Sequence, residues 1–404
     1  MSSTTGTSLI GGEAAPTDML QATVAIEGRC TGAKIGPRHI LFAAHCVTAL
    51  DDGGHAFLPR IDPAFADGAR IRVTDANDLR GVRWSYLTVT HAYVHPEWFA
   101  TCALSGCGFD HSIQGTAPPD VAIVETKETV PGATAVVDGS PVEPNTDVVI
   151  AGYGCEQSVD TPSPGERLKF ARTRTLGRIK SMGGYVGIGY FETPGIELGG
   201  EASLCPGDSG GPVYRAEGDT THVVGVNAYY TFNDANGVSA TNVHTRLTGG
   251  AHDVLGWIER IVRGDWSEEC LGLDAIDPEA LPTTGSVRLG ALLATVRARC
   301  SLFGEAPSMA DLHAWAERYS SGRTPADYVS DLFASAAGVA TYGDASDLDF
   351  VRAVWRHGMG KELYGDWALY YAHRLETGDT TRAEFVAFVA DSEYVRARID
   401  PRWL

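Results

Sequence analysis

Three short segments of the chain contain residue types that together can perform nucleophilic catalysis. His45 lies in the stretch AAHC, Asp120 opens the apolar stretch DVAIV, and Ser209 lies in GDSGGP. A serine hydroxyl is a weak nucleophile near neutral pH and needs a base within hydrogen-bond reach. Histidine suits that task, because its unperturbed pKa of about 6.5 lets it accept a proton and return it. A carboxylate would fix the orientation of the imidazole.

Each segment also has a structural explanation when it is taken alone. A histidine after an apolar run is commonly a core or surface residue, and an aspartate before an apolar strand is commonly a turn or cap residue. The GDSGG stretch is also compatible with a simple tight turn. The presence of all three in one chain, in the order His45, Asp120, Ser209, favours the catalytic interpretation.

The elements that must position these residues are short strands. Between residues 9 and about 264, apolar runs alternate with Gly, Pro, Asn and Asp turns, which is typical of an antiparallel sandwich or barrel. The runs predicted as strands are 22–26, 39–43, 121–124, 147–151, 186–190, 213–214 and 222–226. Apolar residues at helical spacing over 251–262 predict one helix at the end of this β domain.

The order of the three residues and the motifs around them resemble the chymotrypsin and trypsin family over residues 9–264. The stretch LIGG at 9–12 is similar to the family's mature N-terminus, VVGV at 223–226 to a strand of the substrate cleft, and NVHTRL at 242–247 to the approach to the closing helix. The resemblance implies two six-stranded antiparallel barrels with the site at their junction. It also implies hydrolysis of peptide bonds through an acyl-enzyme.

The resemblance further implies how the site is completed. The backbone N–H groups of Gly207 and Ser209 would bind the developing oxyanion, and Asp208 would pair with the ammonium group of a new N-terminus at Leu9. Eight residues precede Leu9, and Ser8 is not a residue after which a trypsin cleaves. We therefore expect a zymogen that another type of protease activates at Ser8–Leu9.

Substrate preference is predicted from the pocket positions that the resemblance implies. The pocket base lies six residues before the nucleophile, at Ser203, and carries no acid, which argues against a preference for Arg or Lys. The other predicted pocket residues are Ala228, Tyr229, Tyr230 and Asn242. Larger side chains here would narrow the pocket, so we expect cleavage after small or medium uncharged residues.

The eight cysteines favour disulfides and an oxidising compartment. None belongs to a CxxC pair with a matching His or Cys set, which argues against zinc, and we expect no metal or cofactor. The resemblance implies a Cys30–Cys46 disulfide. Cys205 lacks its usual family partner, and Cys155 is the best remaining candidate because its loop borders the oxyanion hole. Cys270 and Cys300 would then join the linker to the helical domain, while Cys102 and Cys107 bracket a short loop.

Charge and hydropathy limit the partners. The formal net charge of −19 argues against nucleic acid and anionic lipid, and no run reaches the ~18 apolar residues of a membrane span. The first residues lack the pattern of a secretory signal. We expect a secreted or periplasmic protein whose signal has been removed, and a cytoplasmic protein with reduced thiols is the alternative. The acidic group Asp75, Asn77 and Asp78 is compatible with a calcium site or with ordinary turns.

A composition change at residue 264 marks a second domain. Residues 265–284 are predicted as a linker and 285–404 as an all-α domain, in which Gly322 and Thr324 recur about 56 residues later as Gly378 and Thr380. This part resembles a repeat domain of bacterial secreted proteins. Its role is either packing or binding a protein or cell-surface partner. The rival for the whole chain, a catalytically inactive binding protein with a protease fold, is disfavoured because all the catalytic residue types are present.

Overall fold

The computed structural model describes most of the chain. It covers residues 9–17, 20–26, 30–50, 57–98, 117–155, 165–176, 189–216, 222–231, 240–250, 252–264, 270–277, 280–283, 289–361, 363 and 366–399. The chain forms two compact units, one ending at Val262 and the other beginning at Arg263. The first unit is built mainly from antiparallel strands and the second from helices.

Six antiparallel strands close into a barrel in the first half of the β unit. They are β2 (Thr23–Ile26), β3 (Thr31–Gly36), β4 (His39–Phe42), β7 (Arg70–Thr74), β8 (Ser85–Val94) and β9 (Ala122–Thr126), paired in the order β2-β3-β4-β9-β8-β7. In the core, the rings of Phe42 and Phe65 meet edge to face, with centroids 6.1 Å apart. One turn of helix, α1 (Ala44–Val47), directly follows β4 and carries His45. A separate hairpin pairs β5 (Thr48–Leu50) with β6 (Phe57–Ile61).

The second sheet of the β unit has eight strands. They are β1 (Glu13–Ala14), β10 (Val136–Val137), β11 (Asp147–Gly152), β12 (Lys169–Arg174), β13 (Tyr190–Pro194), β14 (Pro212–Arg215), β15 (His222–Thr231) and β16 (Thr241–Arg246). The main path runs β12-β11-β14-β15-β16-β13, with β1 beside β12 and β10 beside β15. A hydrogen bond from Leu176 N–H to Glu192 O (2.8 Å) joins the ends of this path. The prediction of two six-stranded barrels is confirmed, with β1 and β10 as additions.

Local patterns located some of these strands. Each of the seven predicted runs overlaps an observed strand, and the helix predicted over 251–262 is α2 (Val254–Arg263), which buries Val254, Trp257, Ile258 and Ile261. The run 186–190 overlaps β13 only at Tyr190, and its residues 186–188 lie outside the described residues. The other nine of the sixteen described strands have no predicted run, so apolar runs find only part of the strands in this chain.

The second unit is all-α, as predicted. Its helices are α3 (Leu289–Phe303), α4 (Met309–Ser320), α5 (Pro325–Ala334), α6 (Ala336–Tyr342), α7 (Asp347–Met359), α8 (Asp366–Glu376), α9 (Arg382–Ala390) and α10 (Glu393–Ile399). The central helix α3 packs against α5, α7 and α9, and the ring of Phe350 contacts those of Phe333, Tyr342 and Phe385. Part of the segment expected to be a linker also packs here, because Leu273 and Ile276 are buried.

Three helices of this unit begin with reciprocal capping boxes. The pairs are Ser308–Asp311, Thr324–Asp327 and Thr381–Glu384. The repeat prediction matched Thr324 to Thr380, and this detail is wrong: Thr381 is the equivalent N-cap, because its Oγ1 accepts from Glu384 N–H. Gly322 and Gly378 both adopt positive φ (94° and 77°), as the turn of each repeat requires.

Candidate active site

His45 and Asp120 form a doubly hydrogen-bonded pair. The backbone N–H of His45 donates to Asp120 Oδ1 (2.9 Å), and its Nδ1 lies 2.7 Å from Asp120 Oδ2. A carboxylate only accepts hydrogen bonds, so Nδ1 carries the proton and Nε2 is left as the basic nitrogen. The Asp120 side chain is fully buried, whereas the His45 side chain is 15% exposed. The pair thus presents a base of fixed tautomer to the surface.

The main chain of Asp120 is fixed by the second barrel. Asp120 N–H donates to the hydroxyl of Tyr190 on β13 (3.1 Å), and the hydroxyl of Thr245 on β16 donates to Asp120 O (3.0 Å). Burial raises the pKa of Tyr190, so its hydroxyl keeps the proton that it donates to Pro118 O (2.5 Å). Asp120 therefore lies where the two barrels meet, as the resemblance implies. Sequence reasoning did not single out Tyr190 or Thr245.

The loop that carries Ser209 packs against the turn that carries His45. Ser209 O accepts from Thr31 N–H (3.0 Å), and the next residue, Gly210, donates its N–H to Asn227 O (2.8 Å). A Cβ atom on Gly210 would lie 2.4 Å from Thr31 O and 3.1 Å from Ala43 N, two residues before His45. Only glycine permits this approach. The structure thus brings the loop that carries Ser209 close to the turn that carries His45.

Gly207 adopts a backbone conformation that favours glycine. Its φ is +101°, and a Cβ atom there would lie 2.9 Å from Gly154 Cα. Its carbonyl oxygen is held by the hydroxyl of Thr31 (2.8 Å). Within the described part of the chain, the N–H groups of Gly207 and Ser209 have no acceptor. Two such donors beside a nucleophile are able to bind a developing oxyanion.

Asp208 is buried under this loop. Its Oδ1 accepts from Gly154 N–H (2.8 Å) and its Oδ2 from Cys205 N–H (3.0 Å). Burial raises the pKa of this carboxyl to about 7, against the two hydrogen bonds, which favour its ionised form. The buried carboxyl is therefore poised between its neutral and charged forms at neutral pH.

The predicted partner of Asp208, the Leu9 ammonium group, does not exist in this chain, because Leu9 is preceded by another residue. Leu9 is fully buried and packs with Ala202 and Leu204. Ile10 O accepts from Ser203 N–H (2.9 Å), and Ile10 packs against the Cys155–Cys205 disulfide. The ion pair stays a prediction, and the structure places the Leu9 segment against the residues that flank Asp208.

The predicted disulfides are confirmed where the structure describes them. The observed pairs are Cys30–Cys46, Cys155–Cys205 and Cys270–Cys300. The first joins the start of β3 to the His45 turn, and the second joins the residue after Gly154 to the loop before Ser209. Cys102 and Cys107 lie outside the described residues.

Two polar side chains at the predicted base of the pocket are buried and already hydrogen-bonded to backbone groups. Ser203 is buried, and its hydroxyl accepts from Ile196 N–H (3.0 Å). Asn242 is also buried: its Oδ1 accepts from Leu204 N–H (2.8 Å), and its Nδ2 donates to Ala202 O (3.0 Å). Asn242 therefore bridges the backbone on either side of Ser203, instead of presenting a free amide.

The other predicted pocket residues lie on β15. A bulge between Asn227 and Tyr229 places Ala228 in the core, where Tyr229 and Tyr190 pack beside it. Tyr229 and Tyr230 are both half-buried, opposite Val243 and Asn242 of β16. The two tyrosines are thus the large side chains of this strand that reach towards the surface.

A buried network behind the loop that carries Ser209 was missed by sequence reasoning. Burial lowers the pKa of His244 to about 3, so its ring is neutral. Its Nδ1 faces Asn227 Oδ1 (3.0 Å) and its Nε2 faces Thr193 Oγ1 (3.0 Å). Asn227 Nδ2 in turn donates to Ala151 O (2.9 Å) and to Asp208 O (3.2 Å). The network ties the main chain at Asp208 to β11 and β16.

The groups that resemble metal ligands have other partners. Cys30, His45 and Cys46 have ligand atoms within 4.8 Å of one another, but the two sulfur atoms form a disulfide and do not bind metal as thiolates. In the group considered for calcium, the carboxylate of Asp78 pairs with Arg80 and Arg167. These contacts favour the turn interpretation of that acidic group.

Comparison with known proteins gives one result for the β unit. The family model described as Trypsin matches residues 9–255, which is more than half of the chain. A search of curated protein sequences gave no match. Among the described residues, no helix is long and apolar enough to cross a membrane.

Proposed function

Because the chain belongs to the trypsin family, whose members are serine proteases, we propose that it is a serine endopeptidase with Ser209 as nucleophile. The observation that carries this proposal is the His45–Asp120 pair, hydrogen-bonded through two atoms of each residue, beside the Ser209 loop. His45 Nε2 takes the proton of Ser209 Oγ as that oxygen attacks the scissile carbonyl carbon. The imidazolium then returns the proton to the leaving amine, and water hydrolyses the acyl-enzyme by the same steps. The N–H groups of Gly207 and Ser209 stabilise the oxyanion.

Covalent labelling tests the proposed nucleophile. A fluorophosphonate probe is expected to label the active chain at Ser209, with loss of peptide hydrolysis. The variant Ser209→Ala should lose both labelling and hydrolysis, because it removes the hydroxyl that His45 is proposed to activate. The matched control is Thr23→Val, which removes a fully buried hydroxyl of the first barrel and should still be labelled. A chain that has been cleaved to begin at Leu9 and still neither labels nor hydrolyses peptides would instead be a binding protein with a protease fold.

The buried and uncharged side chains at the predicted pocket base support a preference for small or medium uncharged residues before the cleaved bond. Neither Ser203 nor Asn242 offers a carboxylate to a substrate cation. We expect a peptide-library profile dominated by small uncharged residues. Asn242→Gly should shift the profile towards larger side chains, because it removes the amide that bridges Ala202 and Leu204. A parent profile dominated by Arg or Lys would contradict this proposal.

We base the proposal of activation by cleavage between Ser8 and Leu9 on the burial of the Asp208 carboxyl. The carboxyl has two neutral donors, and a cation would favour its charged form. Leu9 packs among Ala202 and Leu204, close in sequence to Cys205. An ammonium group created at Leu9 is therefore the cation that we propose for Asp208.

Two further properties are proposed for the whole chain. The three disulfides support action in an oxidising compartment, secreted or periplasmic. The helical unit exposes Trp367, Tyr370 and Phe388, each at about half of its surface. Exposed aromatic side chains in one unit support a role in binding a protein or cell-surface partner.

A further inference from the structure

We propose that Thr31 is a positioning residue that holds the oxyanion-binding loop in shape, an inference that rests on the proposed hydrolase function. Thr31 is the first residue of β3 and is fully buried. Its neighbour Cys30 is bonded to Cys46 beside His45. The residue is therefore fixed on one side to the turn that carries the base.

On its other side, Thr31 bonds to both ends of the Gly207–Ser209 segment. Its backbone N–H donates to Ser209 O (3.0 Å), and its hydroxyl donates to Gly207 O (2.8 Å). Two carbonyl groups of the segment thus point at one residue. By holding these two carbonyl groups, Thr31 fixes the backbone of the segment that carries the N–H groups of Gly207 and Ser209.

The same hydroxyl reaches a third segment. Thr31 Oγ1 accepts from Tyr153 N–H (3.0 Å), and the next residue, Gly154, donates to the Asp208 carboxylate. A hydroxyl has one proton to donate and two lone pairs to accept with. This hydroxyl uses its proton on Gly207 and a lone pair on Tyr153. Removing it leaves the partly buried carbonyl of Gly207 and the buried N–H of Tyr153 without this partner, both at the edge of the proposed oxyanion site.

Substitutions at Thr31 separate positioning from packing. Thr31→Val keeps the shape and loses the hydroxyl, and Thr31→Ser keeps the hydroxyl and loses a methyl group. We expect Thr31→Val to lower kcat for a small peptide substrate at least about tenfold, with KM within about twofold, since the effect falls on transition-state binding. Thr31→Ser should stay within about threefold of the parent.

A peptide boronic acid gives a second readout, because it forms a tetrahedral adduct with the nucleophile. Its Ki should rise in Thr31→Val by the factor by which kcat/KM falls. The matched control is Thr23→Val on β2, which removes another fully buried hydroxyl, bonded to the Tyr214 hydroxyl (2.9 Å). This control should lose stability and keep the parent kcat and Ki.

The outcomes are distinct. If Thr31→Val and Thr23→Val both keep the parent kcat and Ki, Thr31 serves packing alone and the inference is overturned. If Thr31→Val does not fold, Thr31→Ala lacks the same hydroxyl and must show the same loss of kcat; a parent-like rate in that variant also overturns the inference. All variants are compared after cleavage to a chain that begins at Leu9. A parent chain in that form that neither hydrolyses peptides nor labels with fluorophosphonate overturns the proposed function, and this inference with it.

Discussion

The carboxyl group of Asp208 is buried, and its negative charge is unfavourable there unless a cation lies nearby. Two backbone N–H groups favour its ionised form, yet burial dominates and raises its pKa to about 7. A nearby ammonium would lower that pKa again. If the proposed pairing with Leu9 forms, we expect the charge state of Asp208 to differ between a chain that continues before Leu9 and a chain that begins there.

The pH dependence of stability tests this difference. In the uncleaved chain the folded state binds the Asp208 proton more tightly than the unfolded state, whose pKa is about 4. The stabilisation from this residue is thus fully present below pH 4 and is lost as the pH rises to about 7, by up to about 4 kcal/mol. Urea unfolding between pH 4 and 8, in a Ser209→Ala background that prevents self-cleavage, should show this slope.

Two comparisons make the test specific to Asp208. The additional change Asp208→Asn should remove the slope, because an amide does not titrate in this range, although it lowers stability at pH 5 through one mismatched hydrogen bond. The cleaved chain that begins at Leu9 should also lack the slope. Equal slopes in all three proteins, or active material whose N-terminal sequence starts at Met1, would contradict activation through Leu9.

At the scale of elements, the Cys155–Cys205 disulfide joins the two segments that bind the Asp208 carboxylate. One segment follows β11 and supplies Gly154 N–H, and the other precedes β14 and supplies Cys205 N–H. A second backbone bond, from Cys155 N–H to Pro206 O (2.9 Å), supports the same junction. The disulfide therefore belongs to the geometry of the site as well as to the stability of the fold.

Removing this disulfide should affect catalysis, whereas removing another should not. Cys155→Ala with Cys205→Ala is expected to lower kcat at least about tenfold and the free energy of unfolding by about 2–5 kcal/mol. The control, Cys270→Ala with Cys300→Ala, should lose comparable stability in the helical unit and keep kcat. Steady-state kinetics and denaturant unfolding measure both pairs. A parent-like kcat in the first pair would show that the disulfide does not support the site.

Elements with local signals were predictable, and contacts between distant elements were not. Apolar runs located seven of the sixteen described strands, and apolar residues at helical spacing identified α2, because those patterns lie within a few residues. The order of His45, Asp120 and Ser209 identified the family. Thr31, in contrast, bonds to Gly207, which lies 176 positions away in the sequence. The side-chain amide of Asn242 forms hydrogen bonds with backbone groups. Bonds of this kind depend on the tertiary fold and leave no periodic pattern in the chain.

At the scale of the molecule, the division at Val262 and Arg263 determines where the chain can be cut. Cys270 and Cys300 both belong to the helical unit, and Leu271 N–H bonds to Gly304 O there (2.9 Å). Deleting only residues 285–404 would leave Cys270 without its partner and Leu273 without its core. Truncation after Gly264 removes the helical unit as a whole.

The truncated chain 1–264 should retain the catalytic properties of the parent. Both barrels and α2 are present, and the residues that hold the site, from Thr31 to Thr245, all lie in the first unit. We expect kcat/KM for a small peptide within about threefold of the parent, measured after the same activation step. Cleavage of a protein substrate, or retention on cells, should fall if the helical unit binds a partner. Loss of small-peptide hydrolysis in a folded truncated chain would show instead that the β unit needs the helical unit for its structure.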